Sequence, residues 1–321
     1  MCLWQSRQRR LPQRGRKVSN LMYKFATLDP RPIPAATEAN DVVFADDAQV
    51  LGIEVTVSAL AARCSLGNLD HHGSGDDAQT PSAVEQALTV DLPPEGTTFA
   101  TVRADADSVS AMAVLMARMA GFPVNESLVA AIGQMDRLGP KVEAKLPHRE
   151  IVVAISRKSA DFRTPLVDRV QFVLDCMNSD TDVSEQVASL VAQRDADYAA
   201  ALEGSDVREV IPGKLVFVQS THQFAPLIGY HHADTVVAFN PTMAVIAMQD
   251  GRLQPTGETY AKYTISRRDS NVPTDLPTAL AELQTLEEDW GGRGDIFGSP
   301  QNTSSALTPE QVIEIVKRYV R

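Results

Sequence analysis

The sequence predicts an α/β protein of two domains, a mostly parallel sheet with flanking helices followed by a smaller α/β unit, joined by a helical connector. Three observations predict it. Short apolar runs alternate with Ala- and Met-rich helical segments over residues 22–150, the βαβα rhythm of a parallel sheet. A long polar stretch of helical period, 164–203, then interrupts that rhythm. Strand-like runs resume after residue 206 and close on a Gly-rich loop and a C-terminal helix. The expected boundaries are a basic tail at 1–21, a first domain at 22–163, a connector at 164–205 and a second domain at 206–321.

Taken in order, Val42–Ala45 is a short apolar run that reads as a strand, ending in Asp46-Asp47. Gly52–Val57 alternates as a strand does. Ser65–Leu69 leads into Asp70. A helix is expected over Thr80–Leu88, with Thr80 as N-cap and Pro81 at the first helical position. Phe99–Val102 is strand-like, Val109–Met119 is a buried helix, and Asn125 caps another helix through Met135. Residues 151–157 read as one more strand. In the second domain, strands are expected near 213–218, 235–239, 243–248 and 260–266. Thr308-Pro309-Glu310-Gln311 is a capping box with Pro at N1.

Composition narrows the function. The chain has 321 residues, is 44% hydrophobic and carries a net charge of −11. Residues 1–20 hold Arg7, Arg9, Arg10, Arg14, Arg16 and Lys17 and no acid, so the rest of the chain stands at −17. The tail lacks the apolar stretch of a secretory signal. It reads as a disordered tail, an over-extended start preceding Met22, or an organelle transit peptide. An acidic body argues against a long nucleic-acid partner or an anionic membrane surface, and no apolar run reaches a membrane span. Three scattered cysteines, Cys2, Cys64 and Cys176, make no disulfide framework and fit a reducing, cytoplasmic setting. A homodimer is compatible with all of this.

Ligands of open α/β sheets bind beyond the carboxyl ends of the strands. The polar residues that follow strand-like runs form a short set: Asp46 and Asp47, then Asp70-His71-His72, then Asp105 and Asp107, with Asp136 at the end of a helix. Each aspartate taken alone is an ordinary cap or turn residue; Asp107 followed by Ser108 could simply cap the helix from Val109. Carboxylates and imidazoles on one rim would repel one another unless compensated, and mixed Asp/His ligation suits Mn²⁺ or Mg²⁺. His148, His222, His231 and His232 lack a neighbouring carboxylate run and read as structural or surface groups. Cys64 and Cys176 read as packing thiols.

Asn68-Leu69-Asp70-His71-His72-Gly73 resembles the signature of the DHH phosphoesterases. So do Ala104-Asp105-Ala106-Asp107, like that family's D-x-D motif, and an earlier Asp, here Asp47 with Asp46 as competitor. Trp290–Ser299 is similar to the glycine-rich GGGH loop of the associated DHHA1 substrate-binding domain, and Ser266-Arg267-Arg268 to its Ser-x-Arg strand. The motifs come in a permuted order, with D-x-D after DHH. Thr101 stands where the family often has a His, and Arg293 replaces the His of GGGH.

The resemblance implies a metal-dependent phosphohydrolase in which activated water attacks phosphorus. Asp47, His71, Asp105, Asp107 and Asp136 would hold one or two Mn²⁺ ions, with Mg²⁺ as the alternative. Asp70 and His72 would orient ligands or serve the leaving group, with His71 also counted among the catalytic residues. Arg103, Arg267, Arg268, Arg293 and the backbone of Gly291, Gly292 and Gly294 would hold phosphate. The expected substrate is small and phosphorylated: a short oligonucleotide, a phosphorylated nucleotide, or pyro- or polyphosphate. The rival expectation, motivated by Thr101 and Arg293, is a non-catalytic phosphate-ligand binding or regulatory protein on a degenerate DHH fold.

Overall fold

The computed structural model describes residues 23–30, 33–45, 48–72, 79–178, 180–220, 244–253, 259–267, 274–292, 294–300 and 303–321. The basic tail, Asp46, Asp47, His222, His231, His232, the strand expected near 235–239, Arg268 and Arg293 lie outside the described residues. The protein is α/β and divides into two compact units. The first takes the chain to Arg137 plus residues 146–188, and the second takes 138–145 plus 189–321. No helix among the described residues is long and apolar enough to cross a membrane.

The first unit holds β1 (Lys24–Thr27), α1 (Pro34–Val43), β2 (Val50–Ile53), α2 (Ser58–Ala61), β3 (Asn68–Leu69), α3 (Ala83–Gln86), β4 (Thr98–Thr101), α4 (Ala106–Met119), α5 (Glu126–Leu138), α6 (Arg149–Ser159) and α7 (Leu166–Met177). Its sheet is four-stranded, in the order β1-β4-β2-β3. All three pairings are parallel: Phe25 lies beside Phe99, Leu51 beside Phe99, and Ile53 beside Leu69. All carboxyl ends therefore share one rim. The Ala/Met composition of α4 suits a helix buried on nearly every side, and residues 107–117 are all buried. It packs against α3, α6, α7 and β2. Arg118, in its last turn, ties it to the segment after α3 by donating to Ala87 O (2.7 Å) and Val90 O (2.8 Å).

Two expected strands are helices. Val42 and Val43 form the last turn of α1, which starts on Pro34 and buries Ala36 and Asn40. Asn40 ties it to Asp29, accepting from Asp29 N and donating to Asp29 O. Residues 151–157 lie inside α6, where burial of Val152, Ile155 and Ser159 follows helical spacing and overrides the β-branched composition. The helix expected from Thr80 starts later: Ser82 is the N-cap, and its N–H donates to the Glu85 carboxylate (2.9 Å). Of the expected connector, α7 packs into the first unit through Val170, Phe172 and Val173, and the division between units falls within α8 (Ser184–Glu203).

The second unit carries a 3-10 turn (Pro140–Lys145), β5 (Asp206–Ile211), β6 (Leu215–Ser220), β7 (Ala244–Leu253), β8 (Thr259–Arg267), α9 (Leu276–Leu286), β9 (Gly291–Gly292), β10 (Ile296–Gly298) and α10 (Pro309–Lys317). Its sheet runs β5-β6-β7-β8-β10-β9, antiparallel except for β6 with β7. Phe217, Ile246, Tyr263, Ile265, Trp290, Phe297 and the apolar faces of α9 and α10 form one core. Thr308 caps α10, accepting from Gln311 N while Gln311 Oε1 accepts from Thr308 N.

Candidate metal centre

β2 ends at Ile53, and Glu54 follows in the left-handed region, with φ of 52°. That turn breaks the alternation that would have carried the strand to Val57, and it leaves Glu54 on the rim, 4% exposed. β3 ends at Leu69, next to Ile53, so Asp70, His71 and His72 emerge beside Glu54. β4 ends at Thr101. Its hydroxyl shapes the following turn, donating to Arg103 O (3.1 Å) and accepting from Arg103 N (3.2 Å). That turn delivers α4, with Asp107 in its first turn.

Glu54, His71, Asp107 and Asp136 converge, each offering a donor atom within 4.8 Å of all the others. His71 Nε2 lies 2.9 Å from Asp136 Oδ2 and 3.7 Å from Glu54 Oε1. A second group, Glu54, His71 and His72, shares two of these residues. Glu54 Oε2 is buried with no hydrogen-bond donor among the described residues, and Asp136 Oδ2 is buried against His71 Nε2. Buried carboxylate oxygens normally have donors, so the unsatisfied Glu54 oxygen fits a cation. Three carboxylates with one imidazole form a hard, oxygen-rich donor set that matches Mn²⁺ or Mg²⁺.

Asp107 has a second task. Its Oδ1 accepts from Ser82 Oγ (2.8 Å) and Val84 N (3.0 Å), and its Oδ2 from Ala83 N (2.7 Å). It thus satisfies the open end of α3 from across the core. Burial pushes its carboxyl up to about 7, helped by the charge of Asp136 and opposed by the Val84 and Ser82 bonds. Glu54 is raised well above the carboxylate range by burial, then by the charges of Asp105, Asp107 and Asp136. Four acids crowd one buried point, and cationic charge is what they lack.

Asp105 is not among the converging ligand atoms. It is the N-cap of α4, its Oδ1 accepting from Ser108 N (3.2 Å) and Ser108 Oγ (3.0 Å). The helix begins at Ala106, one turn before Val109, and the Asp105 side chain that the sequence offers as a ligand is engaged as its cap. It still bears on the centre, because its carboxylate helps raise Glu54. Asp136 lies in the last turn of α5, which runs on to Leu138. Asp47 lies outside the described residues. Glu54, which sequence reasoning missed, completes the group, and a lone acid within the apolar run Val50–Val57 was its signal.

Asp70 and His72 form a pair beside the quartet. Asp70 Oδ1 accepts from His72 N (3.0 Å) and sits 2.9 Å from His72 Nδ1. Burial works to raise Asp70, but the His72 hydrogen bonds and the two imidazoles outweigh it and hold the carboxyl low. The Asp70 bond raises His72 against the opposing effect of burial. Arg103 is exposed on the turn before Asp105.

In the second unit, Gly291 and Gly292 form β9, paired with Gly298 and Phe297. Gly292 has φ of 144°, and a Cβ there would lie 2.5 Å from Phe297 Cα, so the close strand approach needs glycine. Gly294 is exposed at the hairpin turn. Arg267 N donates to Asp295 O across β8 and β10 (3.0 Å). Cys64 and Cys176 are buried, and burial pushes their thiols up to about 11 and about 12, as packing groups.

No protein-family model and no curated protein matches the chain. Among solved structures, the crystal structure of an uncharacterized protein from Helicobacter pylori G27 aligns over 92% of this chain and 98% of that one, at 12% identity and a TM-score of 0.19. A likeness of that degree carries no argument.

Proposed function

We propose that the chain is a divalent-metal-dependent phosphohydrolase of the DHH type, acting on a small phosphorylated substrate. The observation that carries this reading is the convergence of Glu54, His71, Asp107 and Asp136 at the carboxyl rim of a parallel sheet. Two of these ligands, His71 and Asp107, come from the stretches that resemble the family's motifs. Glu54, His71, Asp107 and Asp136 would hold one Mn²⁺, and the overlapping group with His72 is where a second would bind. Mg²⁺ is the alternative. When bound, such ions supply Lewis acidity, neutralising phosphoryl oxygens and making water a stronger nucleophile.

The protein's own groups divide the remaining work. Asp70 anchors His72 at Nδ1 and favours its charged form, so Nε2 carries a proton for the leaving oxygen. His72 is about half exposed, so a substrate can reach it. Arg103, exposed on the adjoining turn, is placed to pair with a substrate phosphate. Glu54 and Asp107 are too deeply buried for substrate contact and act as ligands alone.

The test is phosphate release with and without Mn²⁺ on dinucleotides, 3′,5′-bisphosphorylated adenosine and pyrophosphate. Mn²⁺-dependent turnover of one of them is expected, falling at least about a hundredfold in Glu54→Gln and His71→Ala. Turnover unchanged in both variants would overturn the site. Stoichiometric Mn²⁺ with a retained nucleotide and no turnover would favour the binding-protein reading.

A further inference from the structure

Arg169 is a buried cation on which the charge of Asp161 acts only from beyond ion-pair distance. It projects from α7, is 5% exposed, and has no carboxylate within ion-pair distance among the described residues. Its Nη1 donates to Ser159 O (2.8 Å), at the end of α6, and to Ala104 O (3.3 Å). Its guanidinium carbon lies 5.7 Å from the centre of the Phe162 ring, and its Nε is buried with no hydrogen-bond partner in the structure. A buried guanidinium whose hydrogen bonds all go to neutral carbonyls, with an aromatic ring nearby and Asp161 beyond ion-pair distance, is expensive to keep. A hydrophobic residue of similar size would hold α7 against α4 at lower cost, so packing alone does not account for it.

Ala104 lies in the turn that ends β4, immediately before Asp105. Asp105 caps α4, and Asp107, one of the converging residues, follows in the same helical turn. Fixing the Ala104 carbonyl therefore fixes the peptide plane from which α4 starts. We propose that Arg169 is a positioning residue for the metal centre: by clamping the 103–105 turn to the end of α6, it sets the rotation of the α4 N-terminus and holds Asp107 in reach of Glu54, His71 and Asp136. Partners one step removed from a ligand commonly govern metal affinity in this way. The inference rests on reading the quartet as a metal centre.

The experiment is a Mn²⁺ titration by calorimetry and electron paramagnetic resonance on the full chain, for wild type, Arg169→Met, Arg169→Lys and Val152→Ala. Val152→Ala removes buried volume from α6 without removing a hydrogen bond to the turn. Arg169→Met is expected to weaken Mn²⁺ binding about ten- to a hundredfold. Arg169→Lys, which still reaches a carbonyl, should recover part of that loss, and Val152→Ala should bind as wild type does although it melts earlier. If Arg169→Met does not fold, Arg169→Lys decides: a folded Lys variant with wild-type affinity overturns the proposal. So does a folded Arg169→Met within about twofold of wild type, or a loss equal to that of Val152→Ala at matched stability, which marks a plain staple. A wild-type chain that takes up no Mn²⁺ removes the metal centre itself, and the proposal with it.

Discussion

Arg137 grips Glu85 with two parallel bonds, Nε to Oε2 at 2.8 Å and Nη2 to Oε1 at 3.0 Å, over the face of Gly133. Glu85 also accepts from Ser82 N at the start of α3. The end of α5 is thus locked to the segment whose N–H groups hold Asp107, and Asp136 is the neighbour of Arg137. One carboxylate thereby sets the spacing between two of the four converging ligands.

Gly133→Ala tests that lock. A Cβ there would lie 2.5 Å from Glu85 Cδ. The Glu85 side chain must leave, and the bonds to Arg137 and Ser82 are lost with it. Chemical denaturation should show a loss of about 1–3 kcal/mol despite the higher helix propensity of alanine. Mn²⁺ affinity should fall as well. Unchanged stability would mean that Glu85 relocates at no cost.

Glu54→Gln separates stability from function. It removes an acid that, beside Asp105, Asp107 and Asp136, must take up a proton to be buried without metal. The metal-free variant should be more stable than wild type by about 1 kcal/mol, read as a higher melting temperature in EDTA. The same variant should lose the stabilisation that Mn²⁺ gives wild type. Asp105→Ala differs: cap loss should cost about 1 kcal/mol, with a weaker effect on Mn²⁺ than Glu54→Gln.

Metal-free protein should lose stability as pH rises between about 4 and 7. Asp107, raised to about 7, and Glu54, raised well above its usual range, hold protons in the folded state that the unfolded chain has already released. Over that window the folded state binds more protons, so the slope of unfolding free energy with pH is negative. His72, also raised, adds the same sign as pH passes from its unfolded value through its folded one. Melting temperatures in EDTA should fall from pH 5 to 7.5, and saturating Mn²⁺ should flatten or reverse the trend. A rise in EDTA over that range would contradict the crowding of acids.

The hairpin glycines of the second unit should respond unequally. Gly292→Ala forces a Cβ onto Phe297 and a strained φ, and should destabilise by about 1–3 kcal/mol. At Gly294 the nearest atom to a new Cβ is Pro277 Cγ at 3.5 Å, and alanine there should stay within about 0.5 kcal/mol. Phosphate-ligand binding measured on the Gly294 variant then reports on the loop without the confusion of misfolding.

Much of the site was legible because strand ends announce themselves. Asp70, His71 and Asp107 stand just past apolar runs, and the structure brings His71 and Asp107 into the quartet. Glu54 was hidden because Gly52–Val57 alternates well enough to read as one strand. Only the positive φ at Glu54, which depends on the packed fold, ends it there. Which aspartate caps which helix was hidden for a similar reason. Sequence spacing offered Asp107 as a cap for its own helix, whereas it caps α3 through tertiary contact and Asp105 caps α4. The β-branched residues of α6 and the end of α1 misled in the ordinary way, since burial pattern outweighs propensity.

The strand order β1-β4-β2-β3 places the first strand beside the last, with the middle two beyond it. The four residues of the quartet lie far apart in sequence, and Asp136 arrives on a helix that follows the whole sheet. A nascent chain leaving the ribosome would expose Glu54 and His71 long before Asp107 and Asp136 emerge. The quartet can therefore close only after the chain has been made through Asp136, with two helices of the same unit still to follow.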